Sequence, residues 1–184
     1  LPVLKNIYEE ALSSPEIVGM SVGTRPDCID DPVLDLLQHY TASHLIWIEY
    51  GLQSANDSTL DFINRGHDVM CFKQAVLATK NRGINICAHV ILGLPNETKS
   101  HVLETARVVS DMEIDGIKIH LLYVVRGTTL DKLYAAGKYK CLEQQEYADS
   151  TGQPIGIQFC PEHDLPERVA DSNEQKAEHG QHRC

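Results

Sequence analysis

The 184-residue sequence contains no apolar run near the roughly 20 residues a membrane-spanning helix needs, and it opens with no charged-then-apolar leader. A cytoplasmic protein without membrane attachment is therefore expected. Positive charge is in deficit: 16 Lys and Arg stand against 26 Asp and Glu, a formal charge of −10. That balance excludes non-specific attraction to nucleic-acid backbones or anionic lipid, while leaving a locally basic site open. Cysteine lacks a framework, because Cys28, Cys71, Cys87, Cys141, Cys160 and Cys184 are widely scattered. Such spacing suits reduced thiols better than a secreted disulfide scaffold. No internal repeat is visible, and a chain whose first residue is Leu is expected to be a processed product or a fragment.

What is present is length enough for one domain with a sizeable core, at 42% hydrophobic residues. Strand-like segments at 17–23, 44–50, 84–92 and 116–125 alternate with helical segments. The helices run over 2–12, from an Asp31 cap with Pro32 at the first position, from Asp57 or Ser58 to Gly66, from Asp68 to Gly83, from Asn96 or Thr98, and from Thr128 to about Ala136. This alternation implies a parallel sheet with right-handed crossovers, and four strands are too few to close a barrel, which takes about eight. The expected fold is α/β: a partial (β/α) barrel of about four parallel strands with helices on the outer face, spanning 1–149. Residues 150–184 turn polar and aperiodic with three Pro, and are expected to form an irregular, largely disordered tail.

Side chains of a strand alternate between faces. In HLIWIEY, Ile46 and Ile48 share one face and Trp47 and Glu49 the other. In INICAHVIL, Asn85, Cys87, His89 and Ile91 oppose an apolar set, and in GIKIHLLYV Lys118 and His120 oppose Ile117 and Ile119. Parallel strands buried on both sides read as continuous apolar runs, so a parity that repeats Glu, His and Lys on one face points to a polar interior surface where a ligand would sit. Short polar signatures end these strands: SVGTRPDC, WIEYGLQS and AHVILGLPNET, with NRGH closing the helix between the last two.

Taken singly, each residue also has a plain reading. Gln53 and Ser54 suit a turn cap, and Arg65 suits a cation meeting a helix C-terminus. Arg25 is solvated, pairs with Glu49, or contacts a ligand. His89 and His120 read as interior histidines, and Gly93 and Pro95 as turn punctuation. Their joint occurrence on one face is what carries a functional reading.

GTRPDC, WIEYGLQS, INRGH, AHVILGLP and KIHLLYVVRGTTL, in this order and at these spacings, closely resemble the radical S-adenosylmethionine (radical SAM) superfamily over about residues 2–149. The resemblance is to the branch holding the Elongator catalytic subunit and oxygen-independent coproporphyrinogen III oxidase, and most of all to small bacterial members of unassigned substrate. It implies that an intact parent would cleave S-adenosylmethionine (SAM) reductively at a [4Fe-4S] cluster held by three close cysteines, using an electron donor, to give a 5′-deoxyadenosyl radical that acts on an unknown substrate. No C-x-x-x-C-x-x-C occurs here. The chain is therefore expected to be a fragment without metal ligands, inactive alone and able to self-associate through an exposed sheet edge.

By the same resemblance, Gln53 would bond the SAM ribose or carboxylate region and Arg65 would pair with the SAM carboxylate. His89 stands where relatives often carry Asp toward the ribose. Gly93, with Leu94 and Pro95, matches a turn that lets backbone approach the adenine, and Asn96 departs from the family's Glu. Arg25, Glu49 and Ser54 complete the candidate cofactor-binding set. A cluster-free SAM- or nucleotide-binding module and an inactive truncated product are the alternatives. In the tail, Cys160, His163, His179, His182 and Cys184 have the spacing of a zinc site, but the spacer offers only Leu165 and Val169 as core. No metal site is assigned.

Overall fold

The structure, a computed structural model, describes residues 1–151, so the tail read as disordered and its Cys/His spacing lie outside the described residues. The chain divides into two compact units, Leu1–Leu121 and Leu122–Cys184. The first unit runs α1 (Pro2–Ala11), β1 (Gly19–Thr24), a 3-10 turn (Pro26–Cys28), α2 (Asp31–Tyr40), β2 (Leu45–Gln53), α3 (Asp57–Phe62), α4 (Val69–Thr79), β3 (Asn85–Leu92), α5 (Lys99–Asp111) and β4 (Gly116–Leu121). The four strands lie side by side in sequence order and every neighbouring pair is parallel. This is the open, barrel-like sheet the alternation predicts.

The apolar parity decides which face the helices cover. Ile46, Ile48 and Tyr50 of β2 and Ile86, Ala88 and Val90 of β3 are buried in one core with Leu34 and Leu37 of α2, Phe72 and Val76 of α4, and Val109 of α5. Each such side chain contributes roughly 1.5–3 kcal/mol when fully withdrawn from water. The Tyr50 hydroxyl on this face meets Thr79 Oγ1 at 2.8 Å, and burial pushes its phenol up to about 12. On β4 the apolar face is less covered than its sequence implies: Ile117 and Ile119 remain 45% and 39% exposed. An edge strand has a neighbour on one side only, which leaves this face open.

Helix starts show where local chemistry was misread by a residue. The cap of α2 is Asp30, whose carboxylate accepts from Val33 N at 3.0 Å, and Asp31 is already helical with Pro32 behind it. Asn56 caps α3 by accepting from Ser58 N at 3.1 Å, ahead of Asp57 and Ser58. Asp68 caps α4 as expected, accepting from Cys71 N at 2.7 Å. Thr98 precedes α5.

The second unit, described to Thr151, holds α6 (Thr129–Ala135), started by Thr128 accepting from Asp131 N, and α7 (Gln144–Thr151), which the sequence pattern did not signal. Strand β4 stops at Leu121 and does not reach residue 125. Cys28, Cys71 and Cys87 are free thiols, and Cys160 and Cys184 lie outside the described residues.

Strand β1 is the other edge, and Val18, at its entrance, is 82% exposed. Unpaired edge groups beside an exposed apolar side chain recruit a second chain. Sedimentation velocity on the purified chain should therefore show concentration-dependent association, and Val18→Lys should shift it toward monomer. A sharp monomer boundary at every concentration would mean that the edge is protected.

Candidate functional site

The polar parity builds one sheet face in layers. Ser21, Trp47 and Asn85 lie deepest toward the N-terminal ends of the strands; Gly23, Glu49, Cys87 and Gly116 are register partners above them; Gly51, His89 and Lys118 follow. A Cβ at Gly116 would touch the Trp47 ring at 3.4 Å, an ordinary contact, so the indole packs over the backbone of β4.

Glu49 is the hub. Its carboxylate accepts from Ser21 Oγ at 2.5 Å and from Lys118 Nζ at 2.6 and 2.7 Å, and Oε2 lies 2.6 Å from His89 Nε2. His89 Nδ1 in turn lies 3.0 Å from His120 Nε2. The Lys118 bond first, then Ser21 and His89, hold the Glu49 carboxyl well below its ordinary 4.5, at about 2, against the opposing effect of burial. Burial, His89 and Lys118 push the His120 imidazole down, and Glu49 partly restores it.

Because the Glu49 pKa is depressed on folding, its contribution to stability is full above about 4.5 and is lost as pH falls toward 2. The shift corresponds to at most about 3 kcal/mol, and solvent screening around the half-exposed Lys118 ammonium reduces that to on the order of 1–2 kcal/mol. Denaturant titrations at pH 7, 4 and 2.5 should show this loss in the wild-type chain, and Glu49→Gln should flatten it. An equal acid loss in both would place the acid-sensitive group elsewhere.

A second cluster forms at the carboxyl end of β2. The ladder to β3 shifts register between Gly51 and Gln53, and Gln53 takes a left-handed φ of 72°. That conformation costs a non-glycine residue of order 1–3 kcal/mol and gathers at functional sites. Helix α3 is followed by Asn64 at φ 53° and Gly66 at φ 82°, with Arg65 N donating to Leu60 O at 2.9 Å. This reversal swings Arg65 back over β2. Its Nη2 and Nε donate to Gly51 O at 2.7 and 3.2 Å, and His67 Nε2 lies 3.1 Å from both Arg65 Nε and Gly51 O.

Glycine at 51 permits this approach: a Cβ would displace the Arg65 guanidinium and lie 2.7 Å from Gln53 Nε2. Burial first, then the Arg25 charge, push the Arg65 pKa down, and Asp27 and Cys28 act in the opposite sense. From an ordinary 12.5 the guanidinium stays charged. Arg65 is half-buried, and no ion pair to it is found among the described residues.

The remaining sequence candidates fall around these clusters. Arg25 follows β1 and does not pair with Glu49: it forms a two-pronged ion pair with Asp27, whose Oδ1 accepts from Nε at 2.9 Å, because a partner two residues away in the turn is nearer than a carboxylate already held by Lys118. Its guanidinium lies against Gly66, 3.2 Å from where a Cβ would stand. Ser54 is buried and donates to Glu97 Oε1 at 2.5 Å while accepting from Asn56 N at 3.0 Å, tying the end of β2 to the loop after β3. Gly93 begins that loop at φ 85°, with Leu94 and Pro95 buried beside it. Ser21, Gly51, His67, Lys118 and His120 carry contacts that the sequence reading did not assign. The strand parity places Lys118 and His120 on this face, and Gly51 and His67 lie inside GLQS and NRGH.

Comparison with known proteins fits this geometry. Residues 2–109 match the family described as the Radical SAM superfamily, and residues 114–163 match the Radical_SAM C-terminal domain. Protein YhcC of Escherichia coli K12 is 42% identical over 154 residues, covering 83% of this chain and 50% of that protein. The chain spans about half the length of the first curated relatives it matches. Among solved structures, the archaeal Methanocaldococcus infernus Elp3 with an N-terminal deletion superposes with a TM-score of 0.63 at 23% identity, covering 73% of this chain and 32% of that one. Coproporphyrinogen III oxidase (HemN) from Escherichia coli, a radical SAM enzyme, gives 0.58 at 20% identity, covering 82% and 34%. At these identities the two structures show a shared fold.

Proposed function

This chain belongs to the radical SAM superfamily, whose members cleave SAM, and from that premise we propose that its polar sheet face is the SAM-holding part of such an enzyme, with Arg65 as the carboxylate clamp. The observation that carries this reading is Arg65 itself: a half-buried guanidinium, held over glycine backbone, with no carboxylate partner among the described residues. A fork of N–H donors grips a ligand carboxylate with two parallel charge-assisted bonds, which a solvated helix-end cation has no need to prepare.

The other residues fit SAM as neighbours of that clamp. Gln53, strained into position beside Arg65, gives or accepts a hydrogen bond at the ribose or carboxylate. Gly93 keeps side-chain bulk out of the turn that adenine would approach. Ser54 holds that turn through Glu97, while Glu49 and His89 form the floor and Arg25 flanks the clamp. Bound SAM would supply, on one-electron reduction, the 5′-deoxyadenosyl group that this family uses to take hydrogen from a substrate. No group of three or more His, Cys, Asp or Glu side chains able to hold a metal exists among the described residues, so they do not fit a [4Fe-4S] cluster, which would come from another part of an intact protein. The substrate and electron donor likewise belong to that whole.

The test is a calorimetric titration of the chain joined to the cluster-bearing segment of a relative. SAM should bind and decarboxylated SAM should bind at least tenfold more weakly, with ATP failing to compete. Equal affinity for SAM and its decarboxylated form would remove Arg65 from the ligand, and competition by ATP would favour a general nucleotide-binding module.

A further inference from the structure

The line Glu49, His89, His120 has a direction that follows from charge alone. Glu49 is ionised, since Lys118 and Ser21 both donate to it, so it only accepts. His89 Nε2, at 2.6 Å from Oε2, must then carry a proton. With His89 neutral, its Nδ1 is a lone pair, and His120 Nε2 at 3.0 Å must be the donor to it. Neutral His120 is thereby left with an unprotonated Nδ1. The two rings are partly stacked, with centroids 4.9 Å apart and planes inclined by 30°. His120 is exposed on this polar face, whereas Glu49 and His89 are partly buried.

We propose that His120 Nδ1 is a proton acceptor for a substrate O–H or N–H group held against this face, with His89 and Glu49 as the positioning residues that fix its tautomer and receive the charge. The chemistry balances without a further reactant. The substrate X–H bond breaks and its electron pair stays on X, while a new N–H bond forms at His120 Nδ1. The His120 Nε2 proton passes to His89 Nδ1, returning its N–H pair to His120. His89 then holds both protons as an imidazolium beside the Glu49 carboxylate, and His120 is again neutral, in the opposite tautomer. The charge therefore ends on the inner ring, next to its counter-ion, rather than on the outer one. Lys118 is the other charge facing the pair and opposes proton uptake, adding to burial and His89 in pushing the His120 imidazole down. The role of this acceptor in catalysis rests on the radical SAM reading, but the relay itself does not.

Long-range proton–nitrogen NMR on the full chain labelled with nitrogen-15 histidine reads each ring's tautomer directly, with no SAM present. Above the titration range, His120 should be protonated at Nε2 and bare at Nδ1, with His89 protonated at Nε2. Glu49→Gln should lower the midpoint at which the histidine pair takes up its proton, read at His120 as its tautomer switch, by about one pH unit, by removing the attracting carboxylate. His89→Gln provides a second arm and should leave His120 a mixture of tautomers. The proposal is overturned by a proton on His120 Nδ1 in the neutral wild-type chain, or by a His120 tautomer and midpoint unchanged in either folded variant. Failure of SAM to bind would sink the functional assignment and leave these signals untouched.

Discussion

Replacing Arg65 with Ala in the cluster-completed protein is expected to weaken SAM binding by roughly tenfold to a hundredfold while the fold survives. A charge-assisted hydrogen bond to a ligand is worth about 1.5–3 kcal/mol, and each 1.4 kcal/mol is a factor of ten. The fold survives because Arg65 is only half-buried and its protein partners are the Gly51 carbonyl and His67, which retain each other at 3.1 Å. Arg65→Lys keeps the charge but loses the fork, so it should recover part of the affinity. Decarboxylated SAM should bind wild type and Arg65→Ala alike. A folded Arg65→Ala protein with wild-type affinity for SAM would return Arg65 to the role of a cation at the end of α3.

Gly51→Ala is expected to do comparable damage to binding with little change in stability, a separation that few substitutions inside a strand would give. The added methyl meets the far ends of two flexible side chains, Arg65 and Gln53, rather than backbone, so the chain yields by moving them. Stability should change by under about 1 kcal/mol, because alanine also regains some of the conformational entropy that glycine costs in a strand. The movement displaces both polar groups assigned to the ligand at once. SAM affinity should then fall by about a hundredfold, with decarboxylated SAM affected through Gln53 alone. A Gly51→Ala chain that unfolds would show instead that the contact is structural.

The strand parity made the fold legible because alternation survives in any register. Ile46 and Ile48 against Trp47 and Glu49 told the helix side from the open side, and the structure keeps that division across β1 to β3. Cap identity was less legible. Asp30 and Asp31 are chemically identical, and only the extended backbone at Asp30 decides between them. The same holds for Asn56 ahead of Asp57 and Ser58. Strand β2 outruns its predicted end at residue 50 because the irregularity at Gly51 lets the ladder continue to Gln53, and glycine in a sequence reads as a stop.

Ion-pair partners were the least legible feature. Glu49 lies within β2 and Arg25 just past the end of neighbouring β1, yet Arg25 takes the local Asp27 and Glu49 takes Lys118 from β4, 69 residues away in sequence. Such a choice depends on register between strands, which no local pattern encodes. The proton line through His89 and His120 arises in the same way, from two histidines on adjacent strands one alternation apart.

The most direct measurement of the central claim is the yield of 5′-deoxyadenosine from the chain joined to a cluster-bearing segment, with the cluster reconstituted anaerobically and dithionite as reductant. The account predicts 5′-deoxyadenosine and methionine in equal amounts, dependent on the cluster and strongly reduced in Arg65→Ala at limiting SAM. A folded, cluster-loaded protein that releases no 5′-deoxyadenosine, or one whose yield is indifferent to Arg65, would contradict it.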